Sequence, residues 1–345
     1  MKRSFKIGAV AAAAAIAFTG LASAQTKPTL EVVKARGAVA CGVGPGTPGF
    51  SNPDDKGNWT GFDVDFCRAV AAAIFNDPKK VAFKPLTAKE RFTALQSGEV
   101  DLLSRTTTWT AARDSAMNLA FVGVMYYDGQ GFMVNKKLGV KSAKELNGAA
   151  VCVATGTTTE LNLSDYFRSM NMTYKPVVFE KSDEINAAYQ AGRCDVYTTD
   201  ASSLYAQRLR MQKPEDHVIL PEIISKEPLG PLVRQADWQW FTLNKWVYFA
   251  LLNAEELGVT SANVDKMLAD TKNPEIMRLL GRDKETDFGK PLGLTQDWVV
   301  RIIKGVGNYE EIYERNVGPK TPLKIARGVN NLWTKGGLQY APPIR

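Results

Sequence analysis

An internal echo constrains this chain more than any other feature. Ala94-Leu-Gln96-Ser-Gly98-Glu-Val-Asp101 recurs as Ala188-Tyr-Gln190-Ala-Gly192-Arg-Cys-Asp195, with four identities in eight positions at an offset of 94. A second echo sets Gly37-Ala-Val-Ala-Cys41 against Gly148-Ala-Ala-Val-Cys152. Both fall where strand-like runs (39–43, 81–86, 100–103, 149–153, 176–179, 194–198) alternate with helical patterns (62–75, 90–96, 158–168, 183–191, 201–209). Such alternation builds α/β sheets with parallel strands. A unit built twice predicts two similar lobes, and the cleft between lobes is a preferred place for a small-molecule site. From Trp238 onward the pattern reads as almost wholly helical.

The N-terminus does not read as part of this fold. Lys2, Arg3 and Lys6 precede an apolar run over 7–20, and Ala22-Ser23-Ala24 offers a small-residue cleavage site before Gln25, the layout of a cleaved signal peptide over 1–24. A run of this length is short of the roughly 20 residues that span a bilayer. Its removal leaves 321 of the 345 residues and takes the formal charge from +7 to +4. A chain of that size exceeds one ordinary core, which again favours two lobes. No block of like charges or basic run interleaved with aromatics accompanies the positive balance, so nucleic acid is not an expected partner. Four cysteines in an exported chain read as disulfides, with three connectivities open. The single histidine, His217, lies in a polar loop expected to be exposed, so neither a metal site nor a nucleophile–histidine set is expected, and no cofactor is implied.

The offset of 94 places Thr106 opposite Asp200, both just past the C-terminal end of a predicted strand, where open α/β sheets bind ligands. Thr110 suits a helix N-cap with Arg113 in the first turn. Arginine is unfavourable there unless an anion lies nearby, and its planar fork fits a carboxylate, although Asp114 offers a plain surface partner. Thr157-x-x-Glu160 matches a capping box, leaving Thr158 and free backbone N–H groups for the same anion. Asp200 can cap a helix or accept hydrogen bonds from an ammonium group.

Gly61-Phe-Asp-Val-Asp-Phe-Cys-Arg-Ala-Val70 resembles the signature of family 3 solute-binding proteins, the polar amino-acid binders of ABC transporters. Three further stretches are similar to that family's ligand segments: 104–113, the Gly156-Thr-Thr stretch, and the run ending at Asp200. The helical C-terminal region, with Gln239-Trp-Phe-Thr-Leu-Asn-Lys-Trp246, resembles the general L-amino-acid branch, which includes glutamate/glutamine/aspartate/asparagine binders. The resemblance implies a two-lobed type II periplasmic binding protein fold, each lobe a central sheet flanked by helices, with a helical C-terminal extension. It implies that Arg113, Thr108 and Thr158 hold a ligand carboxylate, with Thr157 counted among the ligand-binding residues at the helix start, and that Asp200 and Thr106 hold its ammonium. Gly42-Val-Gly-Pro-Gly46 stands where many members carry an Asp and an aromatic, so no grip for a cationic side chain is seen. Arg91, and with it Arg105, is placed to face an acidic or amide side chain, or else to point outward. Pairs Cys41–Cys67 and Cys152–Cys194 are implied, each within one lobe. Lobe 1 is expected over 25–134 plus 232–345 and lobe 2 over 135–231, with crossings near Asn135 and Pro231. The implied role is capture of free L-amino acids in the periplasm by a monomer, by hinge closure, and delivery to permease subunits in the inner membrane. The alternative is an exported dehydratase-like enzyme using carboxylates alone, and a third reading is a sensory ligand-binding domain.

Overall fold

The computed structural model describes residues 27–283 and 285–345, so the signal segment assigned to 1–24 lies outside the described residues. The chain begins α1 (Thr29–Arg36), β1 (Val39–Val43), a hairpin of β2 (Asn52–Pro53) and β3 (Trp59–Thr60), and α2 (Phe62–Phe75). It continues β4 (Val81–Pro85), α3 (Arg91–Gln96), β5 (Leu102–Leu103), α4 (Ala111–Ala116) and β6 (Leu119–Phe121). A second series follows: β7 (Tyr126–Asp128), β8 (Gln130–Asn135), β9 (Ala150–Ala154), α5 (Thr158–Ser169), β10 (Lys175–Phe179), α6 (Ser182–Gln190), β11 (Val196–Asp200), α7 (Ala201–Arg208) and β12 (His217–Ile219). Finally come β13 (Glu227–Leu229), β14 (Leu232–Arg234), α8 (Trp238–Glu256), α9 (Val264–Asp270), α10 (Pro274–Leu279), α11 (Trp298–Val306) and α12 (Tyr309–Asn316).

Two five-stranded sheets share one plan. Their orders are β4-β1-β5-β14-β6 and β10-β9-β11-β8-β12. In each, helical crossovers make the first three strands parallel, and the fourth runs antiparallel to them. The long echo marks one repeated device. Asp101 donates its N–H to the Ala40 carbonyl at 2.8 Å and accepts the Ala40 N–H at 2.8 Å, and Asp195 does the same with Ala150 at the same distances. Each aspartate thus pins the central strand of its sheet, β5 or β11, to its parallel neighbour, β1 or β9.

The short echo is displaced by one residue. Cys41 pairs with Leu102 where Val151 pairs with Val196, so Cys41 and Val151 are the structural equivalents. Neighbouring residues on a strand face opposite sides. Cys41 accordingly meets Cys67 on α2, and Cys152 turns the other way to Cys194; both pairs are disulfide-bonded, with Cα atoms 6.3 and 5.6 Å apart.

Two expectations need correction. Strand β8 was expected on the first-lobe side of a crossing near Asn135, yet Gln130–Asn135 lies inside the second sheet, because its apolar residues pair with β11. The crossing falls earlier, at the ribbon of β7 and β13, where Glu227 lies opposite Asp128. The C-terminal region is not wholly helical either. After α12 the chain forms only one-turn 3-10 segments, Gly328–Asn330 and Trp333–Lys335, in a stretch punctuated by Pro319, Pro322, Gly336, Gly337, Pro342 and Pro343.

Helices α8, α11 and α12 cover α2 and the first sheet. Their apolar residues, Trp240, Val247, Leu251, Ile302, Ile303 and Ile312 among them, form one core with Cys41, Phe62, Phe66 and Val70. The close approach of α11 to α2 depends on small residues, since a Cβ at Gly305 would lie 3.1 Å from that of Ala72. No described helix is long and apolar enough to cross a membrane.

Candidate ligand-binding site

A polar cavity of about 70 Å³ lies between the two sheets. Seven of the eight expected residues line it: Arg91, Arg105, Thr106 and Thr108 from one side, Thr157, Thr158 and Asp200 from the other. Arg113 does not line it. It sits directly behind Thr108, donating from Nη1 to the Thr108 carbonyl at 2.8 Å, with its guanidinium 5.1 Å over the Phe92 ring. The lobes are closed on one another, with Lys89 bonded to Glu180 at 3.0 Å and Arg210 to the Gly46 carbonyl at 3.2 Å across the rim.

The first-lobe loop is held by an unexpected residue. Asp63, in the first turn of α2, accepts the Thr106 N–H at 3.0 Å and the Ser104 hydroxyl at 3.4 Å. Thr106 has a φ of 37°, a left-handed conformation costly for a residue with a Cβ. Beyond it, Thr108 bridges to Leu229, and Trp109 donates to the Pro228 carbonyl at 2.8 Å, so the loop lies as a strand against β13. Thr110 caps α4 through the Arg113 N–H at 3.3 Å, as its position suggested.

The second-lobe half starts at two helix N-termini. Thr157 caps α5 by accepting the Glu160 N–H at 3.1 Å, but Glu160 reaches back to the Gly156 N–H at 3.0 Å rather than to Thr157. Asp200 precedes α7 without capping it. The helix start is served instead by Asp128, which accepts the Ser202 N–H at 3.3 Å and the Ser202 hydroxyl. Released from the capping role, the Asp200 carboxylate faces the cavity.

Burial dominates the electrostatics. It raises Asp200 well above the ordinary carboxylate value, reinforced by the charges of Asp128 and Glu227. Asp128 is raised to about 6 and Asp63 to about 7, again chiefly by burial. On the cationic side, burial lowers Arg91 well below its usual value, with repulsion from Arg105 and Arg113 adding to it, and brings Arg105 down to about 10. Arg91 is 3% exposed and makes only long contacts, 3.4 Å to Thr107 and 3.5 Å to the Gly156 carbonyl, while its Nε has no hydrogen-bond partner among the described residues. A buried guanidinium so poorly paired is costly unless an anion completes it.

Glu227 is the largest omission from the sequence reading. It is 1% exposed and accepts from Thr108 Oγ1 at 2.5 Å, Thr158 Oγ1 at 2.9 Å, Asn162 Nδ2 at 2.6 Å and Ser225 Oγ at 2.7 Å. No local pattern marks this residue, because three of its four partners come from two distant segments, Thr108 in one and Thr158 and Asn162 in the other. Asp63 carried a signal, its place in Gly61-Phe-Asp, but it read as an ordinary helix-start acid. His217 departs from expectation as well. It is buried at the start of β12, with Nδ1 3.0 Å from the Tyr189 hydroxyl, far in role from the cavity. No group of three or more His, Cys, Asp or Glu side chains is arranged to hold a metal ion among the described residues.

Two like sheets, a two-stranded ribbon joining them and a closed polar cavity between define a two-lobed binding protein of the type II periplasmic kind. The cysteine-binding protein of Campylobacter jejuni shares that fold, at a TM-score of 0.60 and 23% identity over 72% of this chain and 96% of that one. The chain belongs to the bacterial extracellular solute-binding proteins, family 3, whose model matches residues 39–318. It is 62% identical over 340 residues to the general L-amino acid-binding periplasmic protein of Rhizobium johnstonii, covering 99% of each. It is 55% identical over 345 residues to the glutamate/glutamine/aspartate/asparagine-binding protein of Rhodobacter capsulatus, covering 100% of each. Among solved structures, an ABC transporter periplasmic binding protein from Brucella ovis with glutathione bound matches at a TM-score of 0.91 and 62% identity, over 92% of this chain and 99% of that one.

Proposed function

We propose that this chain captures free L-amino acids in the periplasm, favours acidic and amide side chains, and delivers them to an ABC permease in the inner membrane. One observation carries the reading. A cavity between the lobes gathers Arg91 and Arg105 from one lobe and an uncapped Asp200 from the other, and the Nε of Arg91 has no hydrogen-bond partner among the described residues. In this reading Asp200 and Thr106 take the ammonium, and Arg113, with four of its five N–H donors free of bonds to the described residues, neutralises the carboxylate beside Thr108 and Thr158. Thr157 fixes the helix start beneath it, while Arg91 and Arg105 receive the side-chain oxygen atoms. The lobes comprise 27–125 plus 230–345 and 130–226, with the β7–β13 ribbon as the hinge. Gly230 is needed there, since a Cβ would lie 1.9 Å from the Gly123 carbonyl oxygen. Closure around a ligand is the motion for which periplasmic binding proteins are the standard case. The protein acts as a monomer and is not an enzyme; the curated relatives named above are binding proteins.

A thermal-shift screen of the twenty amino acids, followed by calorimetry, tests this directly. Glutamate, aspartate, glutamine and asparagine are expected to stabilise the protein most and lysine least, with dissociation constants near ~1 µM, or about −8 kcal/mol. Arg113→Ala is expected to abolish binding. Near-wild-type affinity in that variant, or turnover of any screened compound, would overturn the assignment. Glutathione belongs in the same screen: the Brucella ovis relative holds it, and its glutamyl end presents the same zwitterion.

A further inference from the structure

The contacts of Glu227 reach all three moving parts of the molecule. It stands at the start of β13 in the hinge ribbon. Thr108 belongs to the first lobe, Thr158 and Asn162 to the second, and Ser225 to the hinge itself. Four donors meet two carboxylate oxygens at 2.5 to 2.9 Å, which leaves the group fully hydrogen-bonded and only 1% exposed.

The hydroxyl protons matter most. A threonine hydroxyl has one proton to donate. Thr108 and Thr158 both lie within donating distance of the same Glu227 oxygen, and their own oxygens are 3.2 Å apart. With both protons directed at Glu227, the lone pairs of the two threonines face each other and the cavity. The hydroxyls then present acceptors to a ligand, and donation to its carboxylate falls to Arg113 and to backbone N–H groups.

We infer that Glu227 is a positioning residue for ligand capture: fixed to the hinge, its carboxylate clasps Thr108 of one lobe and Thr158 and Asn162 of the other, stabilising closure and orienting both hydroxyls. This deepens the proposed capture of amino acids and rests on it for the affinity readout. Charged hydrogen bonds are the strong ones, so the clasp should act chiefly on the rate at which a closed complex opens.

Glu227→Gln keeps the shape, but one of its two acceptor positions becomes an NH₂ group facing donors. In the full-length mature protein, L-glutamate should dissociate at least about tenfold faster from this variant, with an association rate changed by less than about threefold. Ligand-free small-angle scattering should show a larger radius of gyration than wild type. Adding Thr158→Val to Glu227→Gln should cost little more than Glu227→Gln alone, because the two act as one unit. Unchanged dissociation and an unchanged radius would overturn the clasp, and so would strictly additive effects. Should Glu227→Gln fail to fold, Asn162→Ala removes one donor and leaves the carboxylate; it should shift both readouts in the same direction by less, and no shift overturns the inference. Should the wild type bind no amino acid at all, the capture reading fails, while the scattering comparison still decides the clasp.

Discussion

Asp63 shows how one half-buried side chain sets both the shape of a site and its response to pH. Its carboxylate fixes the Thr106 N–H in a strained turn, and burial raises it to about 7 from the usual 3.8. Between those values the folded protein holds a proton that the unfolded chain has released. The contribution of Asp63 to stability is therefore fully present below about 3.8 and is lost as the pH rises through 7. Asp128, raised to about 6, works in the same sense, whereas the contribution of His217, lowered by burial, is present above 6.5 and is lost as the pH falls through its lower folded-state value. Urea denaturation at intervals from pH 4 to 8 should give a flatter stability profile in Asp63→Asn than in wild type. An unchanged profile would show that Asp63 does not titrate in this range.

At the scale of elements, a cross-link in the second lobe and a buried ion pair in the first add to what the two sheets hold. The Cys152–Cys194 bridge closes a loop of 42 residues in sequence between β9 and the turn before β11. Replacing both cysteines with serine should lower stability by about 2–4 kcal/mol, measured by denaturant midpoint without reductant. The C-terminal stretch is anchored differently. Arg327 donates to both oxygens of the fully buried Glu255 at 2.6 and 3.1 Å and to the Asn330 carbonyl, and its guanidinium lies over the rings of Tyr309 and Tyr313. Arg327→Ala leaves that carboxylate without its arginine and should cost about 3–5 kcal/mol. Proteolysis of the native protein should then cut first beyond residue 317, where the tail has come loose; equal resistance in variant and wild type would mean that the tail is held by its apolar contacts alone.

The molecule as a whole should behave as one equilibrium between open and closed forms. A ligand that binds only the closed form stabilises it by mass action, about 2.7 kcal/mol at a hundred times the dissociation constant. The melting temperature should therefore keep rising with glutamate concentration well past saturation of the site. A melting temperature that plateaus at saturation would indicate binding to the unfolded chain as well. Each lobe has its own sheet and core residues, and the ribbon, the threonine loop, Ala206 of α7 packed into the first-lobe core and rim contacts such as Lys89 with Glu180 join the two.

The sequence by itself determined what repeats and what is periodic. The duplicated unit, the strands and helices between 39 and 209, the placing of Thr106 opposite Asp200 and the helix start at Thr157 and Thr158 are legible because spacing along a chain fixes which side chains share a face or a strand end, whereas Arg91, Arg105 and Thr108 were marked only by the family resemblance. Tertiary structure alone decided the rest. The true register of the short echo, the second-sheet place of 130–135, the position of Arg113 behind the cavity and the clasp at Glu227 all rest on pairings between segments far apart in sequence. A hydrogen bond between residues 108 and 227 leaves no local pattern, because its partners are chosen by where two independently folded sheets come to rest.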